Sequence, residues 1–373
     1  MKRKILLNPG PTTTSISVKK ALMSEDICHR EKDFVKVIEK LRKDLVKIVH
    51  GHLDEDVCIL FSGSGTINMD VTLNSLLEKD KKILVINNGA YSTRAVEICQ
   101  YYGLPYYELK LPFDEKIDVN KVKEFLSKHD NISLVYTTHH ETGSGVLNDV
   151  KAIGEVVHKH DAQFVIDATS SFALVPLNIQ EDNIDFLFAS AQKGIAAMPG
   201  LSFIIGKRKL IEKSIDYPLR SYYTNLYRQY YSFEYANKEM HFTPPTQLIY
   251  AASQGVKEYF LEGEENKIKR IKRMHELVLE SLKELGFKLY LKEEHLGPLV
   301  ISVLYPNDAN WNFMKIHDYL YDHGFTLFPR PVGDVKAFRI GLLGAIDESD
   351  IKAFFTLLKK ALITYNIKVP VSY

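Results

Sequence analysis

A chain of 373 residues is long enough for two domains of ordinary size. Its 48 Lys and Arg residues against 47 Asp and Glu leave a formal net charge of +1, which excludes the strong overall field that favours binding to nucleic acid or an anionic membrane. With 45% hydrophobic and 25% charged residues, the composition is that of a folded globular protein. No stretch approaches the ~20 apolar residues of a membrane-spanning helix.

The N-terminus and the cysteines give no sign of export. The first apolar run ends at Leu7, far short of the apolar core of a signal peptide. Cys28, Cys58 and Cys99 are an odd number and form no CxxC pair, which argues against a disulfide framework and against a closed zinc site. We therefore expect a cytoplasmic protein with no metal centre.

In the first two thirds of the chain, short apolar runs alternate with amphipathic stretches. This alternation is typical of an α/β fold in which helices cover a mostly parallel sheet. The predicted strands are Val57–Phe61, Lys82–Ile86, Leu134–Thr137, Phe164–Ile166, Phe186–Ala189 and Leu201–Ile205. The predicted helices are Lys32–Val49, Thr66–Leu77, Ser92–Tyr102, Val119–Lys128 and Ala152–His160. Because most of the strands run into small or polar residues, we expect a functional site at the carboxyl edge of the sheet.

The last third is organised differently. Tyr217–Tyr235 is aromatic and polar and follows neither a helical nor a strand period, so we expect an ordered irregular segment. Gln247–Leu285 is amphipathic, with an interruption near Gly263, and is predicted to be a helix that joins two lobes. The remaining predicted elements form a smaller α+β unit: Leu299–Leu304, Trp311–Asp322, Thr326–Phe328, Ala337–Ile340 and Glu348–Tyr365. We divide the chain into an N-terminal segment (1–18) that packs on the small domain, a large domain (19–255) and a small domain (256–373).

Two predicted strand ends carry residues that suit pyridoxal phosphate chemistry. Asp167 lies in VIDATSSF and Lys193 in FASAQKG. A lysine at such a place can form a Schiff base, because desolvation lowers the pKa of its amine. An aspartate on a neighbouring strand can hold the protonated pyridine nitrogen that makes the ring an electron sink. Either residue alone is more often a helix cap or a surface charge, so the pair needs support from the rest of the chain.

A glycine-rich turn supplies part of that support. The segment FSGSGT (61–66) leads from a predicted strand into a predicted helix. Glycines let the backbone approach a phosphate, and the N–H groups and dipole of the following helix favour an anion. The segment is neither a Walker sequence nor a GxGxxG dinucleotide motif. A plain strand-to-helix turn is an equally good interpretation of this motif alone.

Two more loops follow predicted strands. Tyr91, in NGAYS, is placed either to stack on a cofactor ring or to pack in the core. The loop HHETGSG (139–145) is dense in polar groups. Adjacent histidines on an extended segment point to opposite faces and rarely bind one ion, so we favour the lining of an organic cofactor over a metal site.

Together these motifs resemble a known family. AYS, HHETGSGVLN, VIDATSSF, SAQKG and MPG occur in the order and spacing of the class V aminotransferases, which are fold-type I pyridoxal phosphate enzymes. LNPGPTTTS, FSGSGT, HFTPPTQ and FRIG are similar to the motifs of the 2-aminoethylphosphonate:pyruvate transaminases within that group. The resemblance runs from about Leu6 to about Leu362. It implies an obligate homodimer that moves the amino group of 2-aminoethylphosphonate to pyruvate, giving phosphonoacetaldehyde and L-alanine.

The resemblance also implies roles for individual residues. Lys193 would form the Schiff base with pyridoxal 5′-phosphate, and Asp167 would pair with the pyridinium nitrogen. The other implied cofactor contacts are Ser64, Gly65, Thr66 and Gln192 at the phosphate, Tyr91 on the ring, Ser144 near the phenolic oxygen, and Thr243 reaching the phosphate in the partner subunit. Arg339, in FRIG, would bind the carboxylate or phosphonate of the substrate. An ion pair with an aspartate at the domain interface is the alternative for Arg339.

Three places depart from the family pattern. Gly143 replaces a threonine of ETTTG, SAQKG stands where other members have SANKC, and Arg330 stands in FPRP where a smaller residue is expected. None of them affects the lysine and aspartate pair. The substituted loop borders the substrate, so the identity of the amine donor rests on the resemblance alone.

Other functions stay open at this point. An alanine or serine aminotransferase that uses glyoxylate or pyruvate would share the chemistry and differ only in its donor pocket. A cysteine desulfurase is disfavoured, because that group has a histidine where this chain has Gln192 and because no cysteine lies in the C-terminal unit. A non-catalytic binding protein of this fold is expected to lose the lysine or the phosphate loop, and both are present.

Overall fold

The computed structural model describes residues 3–328 and 332–373. Strands and helices alternate through most of this part of the chain. The strands are β1 (Ile5–Leu6), β2 (Asp56–Gly63), β3 (Lys82–Asn87), β4 (Tyr106–Lys110), β5 (Ile132–Thr138), β6 (Gln163–Asp167), β7 (Phe186–Ser190), β8 (Gly200–Lys207), β9 (Val300–Leu304), β10 (Phe325–Thr326) and β11 (Ala337–Gly341). The α-helices are α1 (Ile16–Ala21), α2 (Lys32–Ile48), α3 (Gly65–Ser75), α4 (Ala90–Tyr102), α5 (Val119–Ser127), α6 (Val150–His158), α7 (Arg208–Lys213), α8 (Leu226–Glu234), α9 (Thr246–Glu262), α10 (Glu264–Glu284), α11 (Phe313–Asp322) and α12 (Glu348–Thr364).

In the described part of the chain, seven strands form the central sheet in the order β2-β8-β7-β6-β5-β3-β4. β8 runs antiparallel to both of its neighbours, and the remaining pairs are parallel. The predicted α/β fold with a mostly parallel sheet is therefore confirmed. β4 was not predicted, because this edge strand is half exposed and lacks the continuous apolar run of the inner strands.

The described residues form two hydrophobic cores, of which the larger includes α9 and the smaller includes α10. The larger surrounds the central sheet, whose inner strands, such as residues 83–86, are fully buried. The smaller is built by α10, α11 and α12 against the antiparallel pair β9 and β11. β1 pairs in parallel with β10, which places Ile5 and Leu7 in the smaller core. The predicted boundary between residues 255 and 256 falls inside α9, and the division into domains stays a prediction.

The expectation of an irregular segment at Tyr217–Tyr235 is wrong for its second half, where α8 forms. Asn225 caps this helix by accepting a hydrogen bond from Arg228 N. The buried face includes Leu226, Gln229, Tyr230 and Phe233, which have helical spacing. The spacing was hidden because a glutamine and a tyrosine occupy core positions while other tyrosines stay exposed.

The predicted break in the long linking helix is confirmed. α9 ends and α10 begins at Gly263, which has a φ of 77° that favours glycine. Across residues 3–328 and 332–373, none of the helices combines the length and the apolar character needed to cross a membrane.

Candidate active site

Polar segments meet at the carboxyl edge of the central sheet. β3, β5, β6 and β7 are parallel, so the residues that follow them gather at one edge. β2 runs in the same direction, which brings the glycine-rich turn to that edge as well. The segments at the carboxyl ends of these strands are 63–66, 88–92, 139–144, 167–171 and 190–193.

Lys193 is buried at this edge, with 6% of its surface exposed. Its Nζ donates a hydrogen bond of 3.2 Å to Thr142 Oγ1 and lies 5.3 Å from the centroid of the Tyr91 ring. Burial lowers the pKa of Lys193 to about 8, although the charges of Asp167 and Glu141 act in the opposite direction. The neutral amine, which is the nucleophilic form, is therefore accessible near neutral pH.

Asp167 is buried at the end of β6. Its Oδ1 accepts a hydrogen bond of 2.8 Å from Thr169 N, and Tyr136 OH donates to its Oδ2 at 3.5 Å. Burial raises the pKa of this carboxyl, while the hydrogen bonds from Thr169 and the charge of Lys193 lower it. A buried carboxylate is stabilised by a cation, so the pocket beside Asp167 suits a positively charged ring nitrogen.

The glycine-rich turn between β2 and α3 has the properties of an anion site. Ser64 is the N-cap of α3, and its side chain makes no capping hydrogen bond within the described chain. A Cβ on Gly65 would lie 3.0 Å from Thr169 Cγ2, so the backbone packs closely against the opposite loop. Thr66 Oγ1 accepts a hydrogen bond of 3.1 Å from Arg94 Nη1, which brings a guanidinium group to the turn. Open N–H groups, a helix dipole and a guanidinium together suit a phosphate.

Buried polar atoms close to this turn have no hydrogen-bond partner among the described residues. They include Ser62 Oγ, next to Gly63 in the chain, and Ser190 Oγ, which lies 3.3 Å from the place that a Cβ on Gly65 would take. Gln192 Oε1, in the segment that follows β7, is also buried without a partner among these residues. Buried polar groups are nearly always hydrogen-bonded, so these atoms indicate that a polar ligand belongs here.

Glu141 is fully buried and was not singled out in the sequence analysis. Its two carboxyl oxygens accept hydrogen bonds from Tyr91 N at 3.1 Å and Gly143 N at 2.9 Å. Glu141 thereby caps α4, whose N-cap residue, Gly89, has no side chain to do so. Burial raises the pKa of Glu141 to about 7. The sequence offered one signal for this contact. α4 begins after a glycine, so its N-cap position has no Ser, Thr, Asp or Asn side chain and the first N–H groups need an acceptor from elsewhere.

The two histidines of the same loop are structural anchors. His139 Nδ1 lies 2.9 Å from Ser171 Oγ, and His140 Nδ1 lies 3.0 Å from Ser170 Oγ. Burial lowers the pKa of His139 to about 4 and that of His140 to about 3, so both are neutral. They fix the loop that carries Glu141 to the segment that follows β6. Within the described ranges, no group of three or more His, Cys, Asp or Glu residues is arranged to hold a metal ion.

Arg339 reaches the site from the C-terminal unit. It lies on β11 with 6% of its surface exposed, and its Nη1 donates a hydrogen bond of 3.1 Å to Thr142 O. Its guanidinium carbon lies 4.9 Å from the centroid of the Phe328 ring. Thr142 therefore contacts both Arg339 and Lys193. Arg330 lies outside the described residues.

Ser144 is buried in the same loop, and its contacts lead toward the C-terminal unit. Its Oγ accepts a hydrogen bond of 3.4 Å from Val146 N, and its carbonyl accepts one of 2.8 Å from Ser302 Oγ on β9. The hydroxyl that contacts Lys193 Nζ belongs to Thr142. Thr142 was not predicted, because the loop offers two hydroxyl groups and only the fold decides which one faces the amine.

The N-terminal segment packs against the turn that carries Lys193. Thr12 donates to the carbonyl of Gln192 from its backbone N at 3.2 Å and from its Oγ1 at 3.1 Å. A Cβ on Gly10 would lie 3.0 Å from Lys193 Cε. The LNPGPTTTS motif was part of the resemblance to the family, but no site residue was predicted from it.

Thr243 is the predicted site residue that this chain does not bring to the Lys193 cluster. It is exposed just before α9 and lines a surface cavity together with His29, Tyr227 and Arg228. Lys193, Asp167, Tyr91 and the glycine-rich turn, by contrast, meet at the same edge of the sheet.

The model of the class-V aminotransferase family matches residues 15–314. The chain belongs to the class-V aminotransferase family. A 2-aminoethylphosphonate–pyruvate transaminase of Phocaeicola vulgatus is 35% identical over 96% of this chain and 99% of that relative. A 2-aminoethylphosphonate–pyruvate transaminase of Lactiplantibacillus plantarum is 31% identical over 95% of this chain and 96% of that relative.

Solved structures show that the fold is shared with other aminotransferases. An alanine–glyoxylate aminotransferase of Nostoc sp. superposes with a TM-score of 0.89 at 21% identity, covering 97% of this chain and 96% of that one. A pyridoxamine-pyruvate aminotransferase of Mesorhizobium loti also gives a TM-score of 0.89 at 21% identity, covering 99% and 94%. The predicted membership of the class V group is confirmed.

A class V aminotransferase uses pyridoxal 5′-phosphate, and this is the cofactor of the chain. The residues present fit it. The buried polar atoms without a partner near the glycine-rich turn suit its phosphate, and the buried carboxyl of Asp167 suits its ring nitrogen. Lys193 provides a buried amine with a lowered pKa at the same edge of the sheet.

Proposed function

We propose that this class V aminotransferase moves the amino group of 2-aminoethylphosphonate to pyruvate, giving phosphonoacetaldehyde and L-alanine. The names of the relatives that align over nearly the whole chain support this substrate pair. The observation that carries the aminotransferase chemistry is the meeting of three groups around Thr142: the amine of Lys193, the guanidinium of Arg339 and, nearby, the carboxyl of Asp167. Such a site offers a nucleophile, an anion anchor and a carboxylate for a ring nitrogen.

We assign the cofactor contacts from this arrangement. Lys193 would attach the cofactor, and Asp167 would hold its ring nitrogen in the protonated form. When bound, pyridoxal phosphate supplies an electron-withdrawing ring that stabilises negative charge on the amine-bearing carbon of the donor. The remaining cofactor contacts are proposed to come from Ser64, Gly65, Thr66 and Gln192 at the phosphate, Tyr91 on the ring face and Ser144 near the phenolic oxygen.

Lys193 is also the proposed general base. Its Nζ would take a proton from the amine-bearing carbon of the donor and pass it to the C4′ atom of the cofactor, and in the second half of the cycle it would move a proton in the reverse direction onto the carbonyl carbon of pyruvate. The lowered pKa of Lys193 supports this role, because both protonation states are populated near its value of about 8. The hydroxyl of Thr142, 3.2 Å from Nζ, would keep the amine directed into the site.

Arg339 is the proposed anchor for the acidic end of both substrates. Phosphonate and carboxylate each present two or more oxygens, and a guanidinium fork can bind two of them at once. The buried position of Arg339 supports the role, because its charge is poorly screened there.

We further propose a cytoplasmic homodimer in which Thr243 reaches the cofactor phosphate in the partner subunit. The exposure of Thr243, together with the exposed tyrosines Tyr222, Tyr223 and Tyr231, supports an interface on this side of the molecule. The unpaired state of all three cysteines supports the reducing compartment.

A screen of amine donors tests the substrate pair. The purified protein with pyridoxal phosphate is assayed with 2-aminoethylphosphonate or L-serine as donor and with pyruvate or glyoxylate as acceptor, and with L-alanine as donor and glyoxylate as acceptor. We expect kcat/KM for 2-aminoethylphosphonate with pyruvate to exceed that of the other pairs by at least about tenfold, because a phosphonate has one more oxygen than a carboxylate to bind at a site built for it. A preference for alanine or serine with glyoxylate would contradict the proposed donor and leave the aminotransferase chemistry intact.

Steady-state kinetics test the reaction order. Donor and acceptor use the same anion anchor in turn, so double-reciprocal plots at several pyruvate concentrations should give parallel lines. Intersecting lines would show that both substrates bind together, which a single anchor at Arg339 does not allow.

A further inference from the structure

Lys267 is a second buried lysine that contacts the segment carrying Lys193. It lies in the first turn of α10, with 6% of its surface exposed. Its Nζ donates a hydrogen bond of 2.8 Å to the carbonyl of Gly194, the residue that follows Lys193. The same Nζ lies 5.1 Å from the centroid of the Tyr259 ring.

An ammonium group is unfavourable at this position for two reasons. It loses its hydration on burial, and the dipole of α10 places partial positive charge at the same end of the helix. Burial lowers the pKa of Lys267 to about 8, with the charges of Glu262 and Glu258 opposing the shift and that of Arg270 adding to it. The hydrogen bond to the Gly194 carbonyl is the directed contact that compensates for these costs.

Residues 191–197, called here the Lys193 turn, are tightly packed against neighbouring backbone. A Cβ on Gly194 would lie 1.7 Å from Phe172 O, in the segment that follows β6. A Cβ on Gly255, in α9, would lie 2.3 Å from Ile195 O. Close packing thus confines the turn, and the ammonium group adds a charge-assisted hydrogen bond that fixes the orientation of one of its peptide groups.

We propose that Lys267 is a positioning residue for Lys193: by holding the Gly194 carbonyl, it sets the direction in which the Lys193 side chain leaves the turn. Lys267 does not touch the substrate or the reacting atoms. It ties the turn to α10, whose later residues, such as Met274 and Val278, belong to the smaller core. The inference rests on the proposed role of Lys193 as the residue that carries the cofactor.

The test compares K267M, K267Q and K267R with the wild type and with K269M. Lys269 lies on the same helix, but its side chain is 64% exposed and pairs with Glu265 at 3.6 Å, so K269M is the matched control. Each apoprotein is first checked for folding by circular dichroism. It is then titrated with pyridoxal 5′-phosphate, and the visible band of the loaded protein is followed from about pH 6 to about pH 10 to find the midpoint at which the nitrogen of the Schiff base loses its proton.

We expect K267M and K267Q to fold and to show three changes. The Kd for pyridoxal phosphate should rise at least about tenfold, because the Lys193 amine is misdirected. For the same reason kcat should fall roughly ten- to hundredfold, while KM for pyruvate stays within about twofold. The pH midpoint of the visible band should move by at least about half a unit, because the distances from Lys193 to Asp167, Glu141, Arg94 and Arg339 change. K267R should return each value to within about threefold of the wild type, because it keeps the cation and the donor.

Other outcomes overturn the inference. If K267M or K267Q folds and keeps the wild-type Kd, pH midpoint and kcat, the Gly194 contact does not position Lys193. If neither folds while K269M does, Lys267 serves the stability of the fold as a whole and the positioning role is rejected. A wild-type protein that fails to bind pyridoxal phosphate would instead contradict the proposed function, so the two failures are distinguishable.

Discussion

At the scale of single residues, Lys193 is the group on which the proposed chemistry depends most directly. Lys193→Ala removes the amine that attaches the cofactor and moves the proton, so we expect kcat to fall by more than about a thousandfold. The visible band of the bound cofactor should also disappear on loading with pyridoxal phosphate. Lys209→Ala, at an exposed position, is the control and should stay within about twofold of the wild type. A Lys193→Ala enzyme with the wild-type rate would refute the assignment.

Arg339 offers a second test at this scale. Arg339→Lys keeps the charge and loses the guanidinium fork, so a charge-assisted bond of ~1.5–3 kcal/mol is weakened and kcat/KM should fall roughly ten- to hundredfold for donor and for pyruvate. The visible band of the cofactor should persist, because Arg339 donates to the backbone carbonyl of Thr142 and its substitution does not remove the amine of Lys193. Arg273→Lys, exposed on α10, is the matched control. If Arg339→Lys and Arg339→Ala both kept kcat/KM within about twofold, another group would have to hold the anion.

At the scale of elements, the start of α4 carries Tyr91, the residue proposed to stack on the cofactor ring, and contacts the HHETGSG loop. A Cβ on Gly89 would lie 2.2 Å from Glu141 Cγ, and Glu141 is the carboxylate that holds Tyr91 N. Gly89→Ala should therefore lower the free energy of unfolding by about 1–3 kcal/mol through overpacking and should also weaken cofactor binding. Urea denaturation of the apoprotein and titration with pyridoxal phosphate measure the two effects.

Gly103, at the other end of α4, provides the control for this prediction. It has a left-handed φ of 63°, and a Cβ there would meet nothing within 4 Å. Gly103→Asn should cost less than about 1 kcal/mol, because asparagine tolerates this conformation. Equal losses at the two glycines would show that the approach of Glu141 to Gly89 is not what makes glycine necessary.

At the scale of the whole molecule, the proposed shared site predicts complementation between two inactive variants. Lys193→Ala and Thr243→Asp should each give inactive homodimers, as judged by assay and by light scattering for the dimeric mass. After unfolding and refolding together, hybrid dimers would contain one intact site, so about a quarter of the wild-type activity should return. Active protein of monomeric mass, or no recovery on mixing, would contradict the contribution of Thr243 to the partner site.

The fold class and the centre of the candidate site follow from the amino-acid sequence alone. The sequence predicts α2, α10 and α12 from the helical spacing of their apolar residues, and it predicts the inner strands from their apolar runs. Both patterns arise because buried positions are occupied by apolar residues. Asp167 and Lys193 can be paired from the strand pattern, because parallel strands necessarily bring their carboxyl ends to one edge. Where burial and residue type disagree, as in α8 with its buried Gln229, the pattern fails.

The groups that surround Lys193 are set by tertiary packing. Glu141 caps a helix that begins some fifty residues earlier, Thr12 holds the carbonyl of Gln192, and Lys267 holds that of Gly194. Each of these contacts joins side chains or backbone groups far apart in the chain, and each satisfies a buried polar group that the local sequence leaves without a partner. Such partners depend on how the elements pack, so they cannot be predicted from residue spacing or from secondary-structure propensity.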